Sequence, residues 1–135
     1  MVTGNWSCSE EDFMDAMNLK VKLYLENEND KFMGIGVLWL LQKVKACRSL
    51  REAAAEMGIS YSKAFRMVKN LEAALGTDVL ERRRGGSERS GASLTPFGEE
   101  FIVLYDEFQK ECKGLLKEPF SEFSEKLNEL LCKNQ

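Results

Sequence analysis

The 135-residue chain contains no histidine and only two prolines. Without imidazole it lacks the side chain that most often serves as general acid or base near neutrality, and the commonest metal ligand as well. Its four cysteines, Cys8, Cys47, Cys112 and Cys132, are scattered and form no C-x-x-C pair. Structural zinc needs close Cys/His spacing, so no metal centre is expected and the cysteines read as reduced thiols. Cys47, on the apolar side of an expected helix, reads as core. The glycines at 85, 86 and 91 match no G-x-x-x-x-G-K-[ST] phosphate loop, and no nucleophile motif is present, so neither a cofactor nor an enzyme is expected. The longest apolar run, Ile35–Leu41, is far shorter than the roughly 20 residues of a membrane helix. No basic segment precedes an apolar stretch at the start, so a secretory leader is not expected either, and the chain is assigned to the cytoplasm without membrane contact.

What is present is enough apolar material for a core, 44% hydrophobic residues against 30% charged, in a length that suits one domain with a helical appendage. The net charge of −3 is unevenly spread. Residues 1–42 hold three basic and seven acidic side chains, residues 43–89 eleven and six, and residues 90–135 five and nine. Positive charge is therefore concentrated in the middle. Because the Debye length is about 8 Å at physiological ionic strength, a local basic face outweighs an acidic total when a polyanion approaches.

Residues 1–17 are expected to be a weakly organised extension, either a disordered leader or one helical turn capped by Ser9 and carrying Phe13, Met14 and Met17. From Leu19 to Leu25 apolar and polar residues alternate strictly, which predicts a half-buried strand with Leu19, Val21, Leu23 and Leu25 on one face. A polar turn follows at Asn27–Asp30, and Phe32 or Met33 begins either a returning strand or the next helix. Val37, Leu38, Leu41 and Val44 then recur at helical spacing, predicting a helix over Gly34–Lys45.

Ser49 with Glu52 three residues on is a capping box, and predicts a helix from Leu50 to about Met57 that buries Leu50, Ala53, Ala54 and Met57. Gly58 supplies a left-handed stop and Ile59 plugs the turn into the core. Ser60 caps a third helix reaching about Leu75. Its inner face is Ala64, Phe65, Val68, Leu71 and Leu75. Its outer face is Ser62, Lys63, Arg66, Lys69 and Asn70, with Tyr61 at the leading edge, and such a polar, basic stripe suits insertion into a major groove. The alternative for Tyr61 is packing on the preceding helix.

After Gly76, Asp78–Glu81 predicts a strand, Arg82–Gly91 a loop carrying Arg82, Arg83, Arg84 and Arg89, and Ala92–Thr95 a returning strand. This is a helix-turn-helix followed by a wing. Thr95 and Pro96 then open a long helix with Phe97, Phe101, Leu104, Tyr105, Phe108, Cys112, Leu115 and Leu116 at three-to-four spacing, broken by Pro119 and followed by an amphipathic piece from Phe120 to Cys132. That stripe is longer than a small winged helix covers, which points to a dimer interface made by helix packing. The expected organisation is an extension at 1–17, a winged helix-turn-helix at 18–98 and a helical dimerisation segment at 99–135, mainly α with small β.

The runs G-I-G-V-L-W-L-L (Gly34–Leu41), S-L-R-E-A-A-A-E-M-G-I-S-Y-S-K-A-F (Ser49–Phe65) and L-E-R-R-R-G-G-S-E-R-S-G-A-S-L-T-P-F-G (Leu80–Gly98) resemble the DNA-binding domain of ModE-type molybdate-responsive transcription regulators, and more distantly LysR-type winged helices. The resemblance spans roughly Leu19 to Lys113. It implies a dimer that binds a palindromic operator in double-stranded DNA, with Ser60, Tyr61, Ser62, Lys63 and Arg66 facing the groove and Arg82, Arg83, Arg84 and Arg89 on backbone or minor groove. Full-length members of that family continue into two small β-barrel molybdate-binding modules, and no such module is contained in these residues. Molybdate binding is therefore not expected from this chain alone. The alternative is a winged helix used as a protein-interaction module that binds no DNA, for which the acidic flanks are the best support.

Overall fold

The computed structural model describes residues 17–28, 30–82 and 91–134. Arg83, Arg84 and Arg89, and the Ser9 turn with Phe13 and Met14, lie outside the described residues. The chain divides into two compact units, Lys22–Gln109 on the one hand and the two terminal segments on the other.

The Lys22–Gln109 unit opens with an antiparallel hairpin of β1 (Leu25–Asn27) and β2 (Asp30–Met33), with Leu25 opposite Met33 and Asn27 opposite Asp30. This corrects the expected strand over Leu19–Leu25. The alternation is real, since Val21, Leu23 and Leu25 are half-buried between exposed Lys20, Lys22 and Tyr24, but no ladder pairs residues 19–24 and Leu19 is itself exposed. Alternating burial needs only an extended chain, whereas a strand needs a partner, and the polar turn places the partner beyond Leu25. Phe32 and Met33 belong to the returning strand, and Met33 is fully buried. Tyr105 holds the extended segment in place, its phenol donating to the Leu23 carbonyl at 2.9 Å.

Three helices follow: α1 (Ile35–Cys47), α2 (Leu50–Met57) and α3 (Tyr61–Leu75). Each boundary has a local cause. The Ser49 and Ser60 hydroxyls accept from the Glu52 and Lys63 amides, each at 3.1 Å, satisfying donors that a helix start leaves free. Gly58 and Gly76 stop α2 and α3 at φ +72°, a left-handed conformation that costs glycine nothing. The α1 stop is less comfortable, since Arg48 adopts φ +61°. It is held there by its own amide on the Val44 carbonyl at 2.7 Å and by the Ala92 amide donating to its carbonyl at 3.0 Å.

That last bond joins the helix corner to the wing, an antiparallel pair of β3 (Leu80–Arg82) and β4 (Ala92–Leu94) in which Leu80 faces Leu94 and Arg82 faces Ala92. A bridge between Ser49 and Gly91 extends the contact. Leu38, Leu40, Leu41 and Val44 of α1, Ala53 and Ala54 of α2, Ala64, Val68 and Leu71 of α3, and Val79 and Leu94 of the wing share one buried core.

Helix α4 (Pro96–Leu115) begins where Thr95 serves two partners: its hydroxyl accepts from the Gly98 amide at 2.9 Å and donates to the Asp78 carbonyl at 2.8 Å. The expected cap is therefore also a tie to Asp78, just ahead of β3. Ile102 and Tyr105 enter the core. A Cβ on Gly98 would collide with the Val79 carbonyl, which already accepts from the Thr95 amide. Gly98→Ala will therefore destabilise the unit by about 2–3 kcal/mol, because backbone and not a flexible side chain has to move. Chemical denaturation checks this, and a wild-type midpoint would show that α4 shifts freely.

In the other unit, α5 (Lys117–Lys133) contains Pro119 instead of being separated from α4 by it. The expected break at Pro119 falls earlier, at Leu116. A proline in the first turn of a helix removes only an amide that has no intrahelical acceptor, so Pro119 starts α5 and does not end α4. No described helix is long and apolar enough to cross a membrane.

Candidate nucleic-acid interface

The capped start of α3 puts Ser62, Lys63, Arg66, Lys69 and Asn70 on one exposed stripe, as its periodicity predicts, while Ala64, Val68 and Leu71 face the core. The residues of the stripe are not equivalent. Lys63 and Arg66 are exposed and pair with no described carboxylate. Lys69 is partly committed, its ammonium lying 3.5 Å from Glu72 and 5.4 Å from the Phe65 ring centroid. Asn70 ends the stripe beside the hairpin, in a polar recess with Asn27, Glu28 and Asp30. Ser60 is exposed but its oxygen is already engaged as the cap.

Glu72 is a connection that sequence reasoning missed. One carboxylate oxygen accepts from the Val79 and Leu80 amides at 2.9 and 3.2 Å, while the other holds Lys69. A residue that reads as outer helix surface thus fixes the entry of the wing against α3. Without a partner in view, a glutamate at the polar edge of a helix carries no signal for this.

Tyr61 resolves between its two readings by doing some of each. It is half-buried, its ring 6.2 Å from Phe65, and the Arg51 guanidinium of α2 lies 4.6 Å from its ring centroid. From the wing, Arg82 donates to the phenol oxygen at 2.8 Å and lies 4.8 Å from the Phe65 ring. Cation–π contacts of this kind hold a guanidinium in place without neutralising it. Arg51 carries no signal of its own in the sequence, where one arginine in a capping box looks like ordinary helix surface.

Cys47 is corrected from core to half-buried. Its thiol donates to Glu56 at 3.2 Å, and Glu56 also holds Lys43 at 3.3 Å. The hydrogen bond to Glu56 is the main cause that pushes the Cys47 thiol up, with partial burial adding to it, and the same bond draws Glu56 below the ordinary carboxylate range. A thiol held protonated in this way is a poor nucleophile.

The third helix thus carries an exposed basic stripe, its first residue Tyr61 gathers Arg51 of α2 and Arg82 of the wing, and the helix-turn-helix is locked by Ser49, Gly58 and Ser60. The model of the bacterial regulatory helix-turn-helix proteins of the LysR family matches residues 37–99. Residues 37–99 are thus similar to the helix-turn-helix of that family. Beyond that match, the chain is 27% identical over 89 residues to the transcriptional regulator ModE of Haemophilus influenzae, covering 66% of this chain and 35% of that protein. It is 33% identical over 96 residues to the molybdenum-pterin-binding protein MopB of Rhodobacter capsulatus, covering 71% of this chain and 34% of that one. The chain thus spans about a third of the length of the curated relatives it matches. Among solved structures, the DNA-binding domain of CbnR, crystallised with DNA, superposes with a TM-score of 0.54 at 22% identity, over 67% of this chain and 98% of that one. That likeness is one of fold alone.

Proposed function

We propose that this chain is the DNA-reading part of a transcription regulator, with α3 entering the major groove and the wing lying on backbone or minor groove. The observation that carries the reading is the pair Lys63 and Arg66, exposed, without a carboxylate partner among the described residues, and on one face of a capped helix-turn-helix. A guanidinium and an ammonium left without carboxylates are what a polyanion requires, and the major groove admits one α-helix. The relatives' names and the neighbour solved with DNA support the same role. The interaction-module alternative is not favoured, because it gives no reason for Lys63 and Arg66 to stand exposed without a carboxylate partner among the described residues. The role is one of binding and not catalysis, carried out beside the chromosome in the cytoplasm.

The partner in assembly is a second copy. The stripe of α4 divides: Tyr105 and Ile102 are core, whereas Phe97, Val103, Leu104 and Phe108 are exposed, and a groove of about 800 Å³ beside them is rimmed by Glu99, Glu100 and Glu107. An apolar face of that extent on a long helix favours helix packing between protomers, and residues 99–135 would supply it. Selection of bound duplexes from a random pool tests both parts. An inverted repeat at fixed spacing is expected; recovery of no sequence would remove the DNA reading, and a single half-site would remove the dimer.

A further inference from the structure

We infer that Arg51, Tyr61 and Arg82 form a clasp for a single backbone phosphate, placed between the recognition helix and the wing; the inference rests on the duplex reading above. Arg51 is the second residue of α2, Tyr61 the first of α3 and Arg82 the last of β3. Three elements distant in sequence therefore bring two guanidiniums and a phenol to one spot. Both guanidiniums lie within 6.0 Å of the same ring centroid. Neither pairs with a carboxylate among the described residues. Two uncompensated like charges held together raise the energy of the free protein, and an anion between them reverses the sign of that effect.

The space for the anion is present. Arg51, Tyr61 and Arg82, with Leu50, Leu80 and Ala92, line a recess of about 160 Å³ in which the other side chains are apolar and offer no acid. A phosphodiester suits it, because the guanidinium fork matches two phosphate oxygens at once. Tyr61 adds to this in two ways. Its oxygen accepts from Arg82 at 2.8 Å, which fixes the fork, and its own proton remains to be donated to the anion. The recess opens where α2, the start of α3 and the wing root meet, so a strand running from the groove-bound helix towards the wing passes it. A base edge is a poorer occupant, since none of the lining side chains besides these three offers a polar atom to read it.

The test uses the full chain and an inverted-repeat duplex obtained by selection, titrated by fluorescence anisotropy over a series of salt concentrations. Arg51→Gln is expected to bind about tenfold more weakly and to flatten the slope of log K against log salt by about one for each phosphate no longer neutralised, with an unchanged melting temperature. Tyr61→Phe keeps the ring and loses the oxygen. It is expected to weaken binding less, and Arg82→Gln is expected to cost less in that background than in the wild type. Neutralising single phosphates as methylphosphonates is expected to reveal one position per half-site that weakens the wild type but not the Arg51→Gln/Arg82→Gln double variant. Wild-type affinity and slope in Arg51→Gln, or a methylphosphonate penalty that persists in the double variant at every position, would overturn the clasp alone. A wild-type chain without duplex affinity at low salt would overturn the clasp and the DNA reading together.

Discussion

Replacing Lys63 and Arg66 together by alanine will lower affinity for the selected duplex by on the order of a thousandfold or more without weakening the fold. Each base-edge contact is worth about 1–3 kcal/mol, and in a dimer each substitution acts in both half-sites. The stability side follows from the structure. Both side chains are exposed, neither makes an ion pair with a described residue, and the cap at Ser60 uses the Lys63 amide and not its side chain. Alanine is the better helix former, so the melting temperature should hold or rise slightly. Arg66→Lys separates two roles. If Arg66 reads a guanine through two parallel hydrogen bonds, lysine loses most of the affinity, and if it touches only phosphate, lysine keeps most of it. Unchanged affinity of the double alanine variant in anisotropy titrations would remove α3 from the interface.

Features set by neighbours in sequence are legible without the structure. Ser49, Gly58, Ser60 and Gly76 mark the ends of α2 and α3 because capping is decided within four residues, and the inner and outer faces of α3 follow from a 3.6-residue period. What depends on distant partners is not legible. The alternation at Leu19–Leu25 reports which side chains turn inward, but whether a ladder forms is settled by the hairpin partner, and that partner is Asp30–Met33. Pro119 reads as a break from any window around it, yet its effect depends on whether it falls at a helix start, which Leu116 decides. Cys47 reads as core on its own helix because the residue that faces it, Glu56, is contributed by α2.

The same distinction runs through the interface. The stripe on α3 can be drawn on a helical wheel, but the commitments that rank its members cannot. Glu72 lowers the value of Lys69 as a free cation while tying down Val79 and Leu80, so one carboxylate weakens a proposed contact residue and orients the wing. Arg51 gains its place only because Tyr61 is presented to it by the turn at Gly58 and Ser60. On the proposed reading the contacting cations are those on α3 without described partners together with Arg51 and Arg82, held against aromatic rings, and all of them lie within residues 43–89, where the sequence concentrates its positive charge.

That concentration predicts a steep response to salt despite the acidic total. A dimer neutralising about six to ten phosphates will lose about 10³- to 10⁵-fold in affinity between about 50 and 200 mM monovalent salt, giving a straight line of log K against log salt. The acidic flanks should not flatten it. Screening limits exposed charges to about 8 Å at physiological ionic strength, Glu99, Glu100 and Glu107 line the apolar groove of α4, and Glu28 and Asp30 share a recess with Asn70, the last residue of the stripe. Isotherms at several salt concentrations measure the slope directly. A flat line would mean that the exposed cations of α3 meet no phosphates and that the fold is used for contacts between proteins. An intermediate slope halved in a monomeric variant, for example with Leu104 and Phe108 replaced by polar residues, would instead show that the charge count belongs to two protomers acting on one duplex.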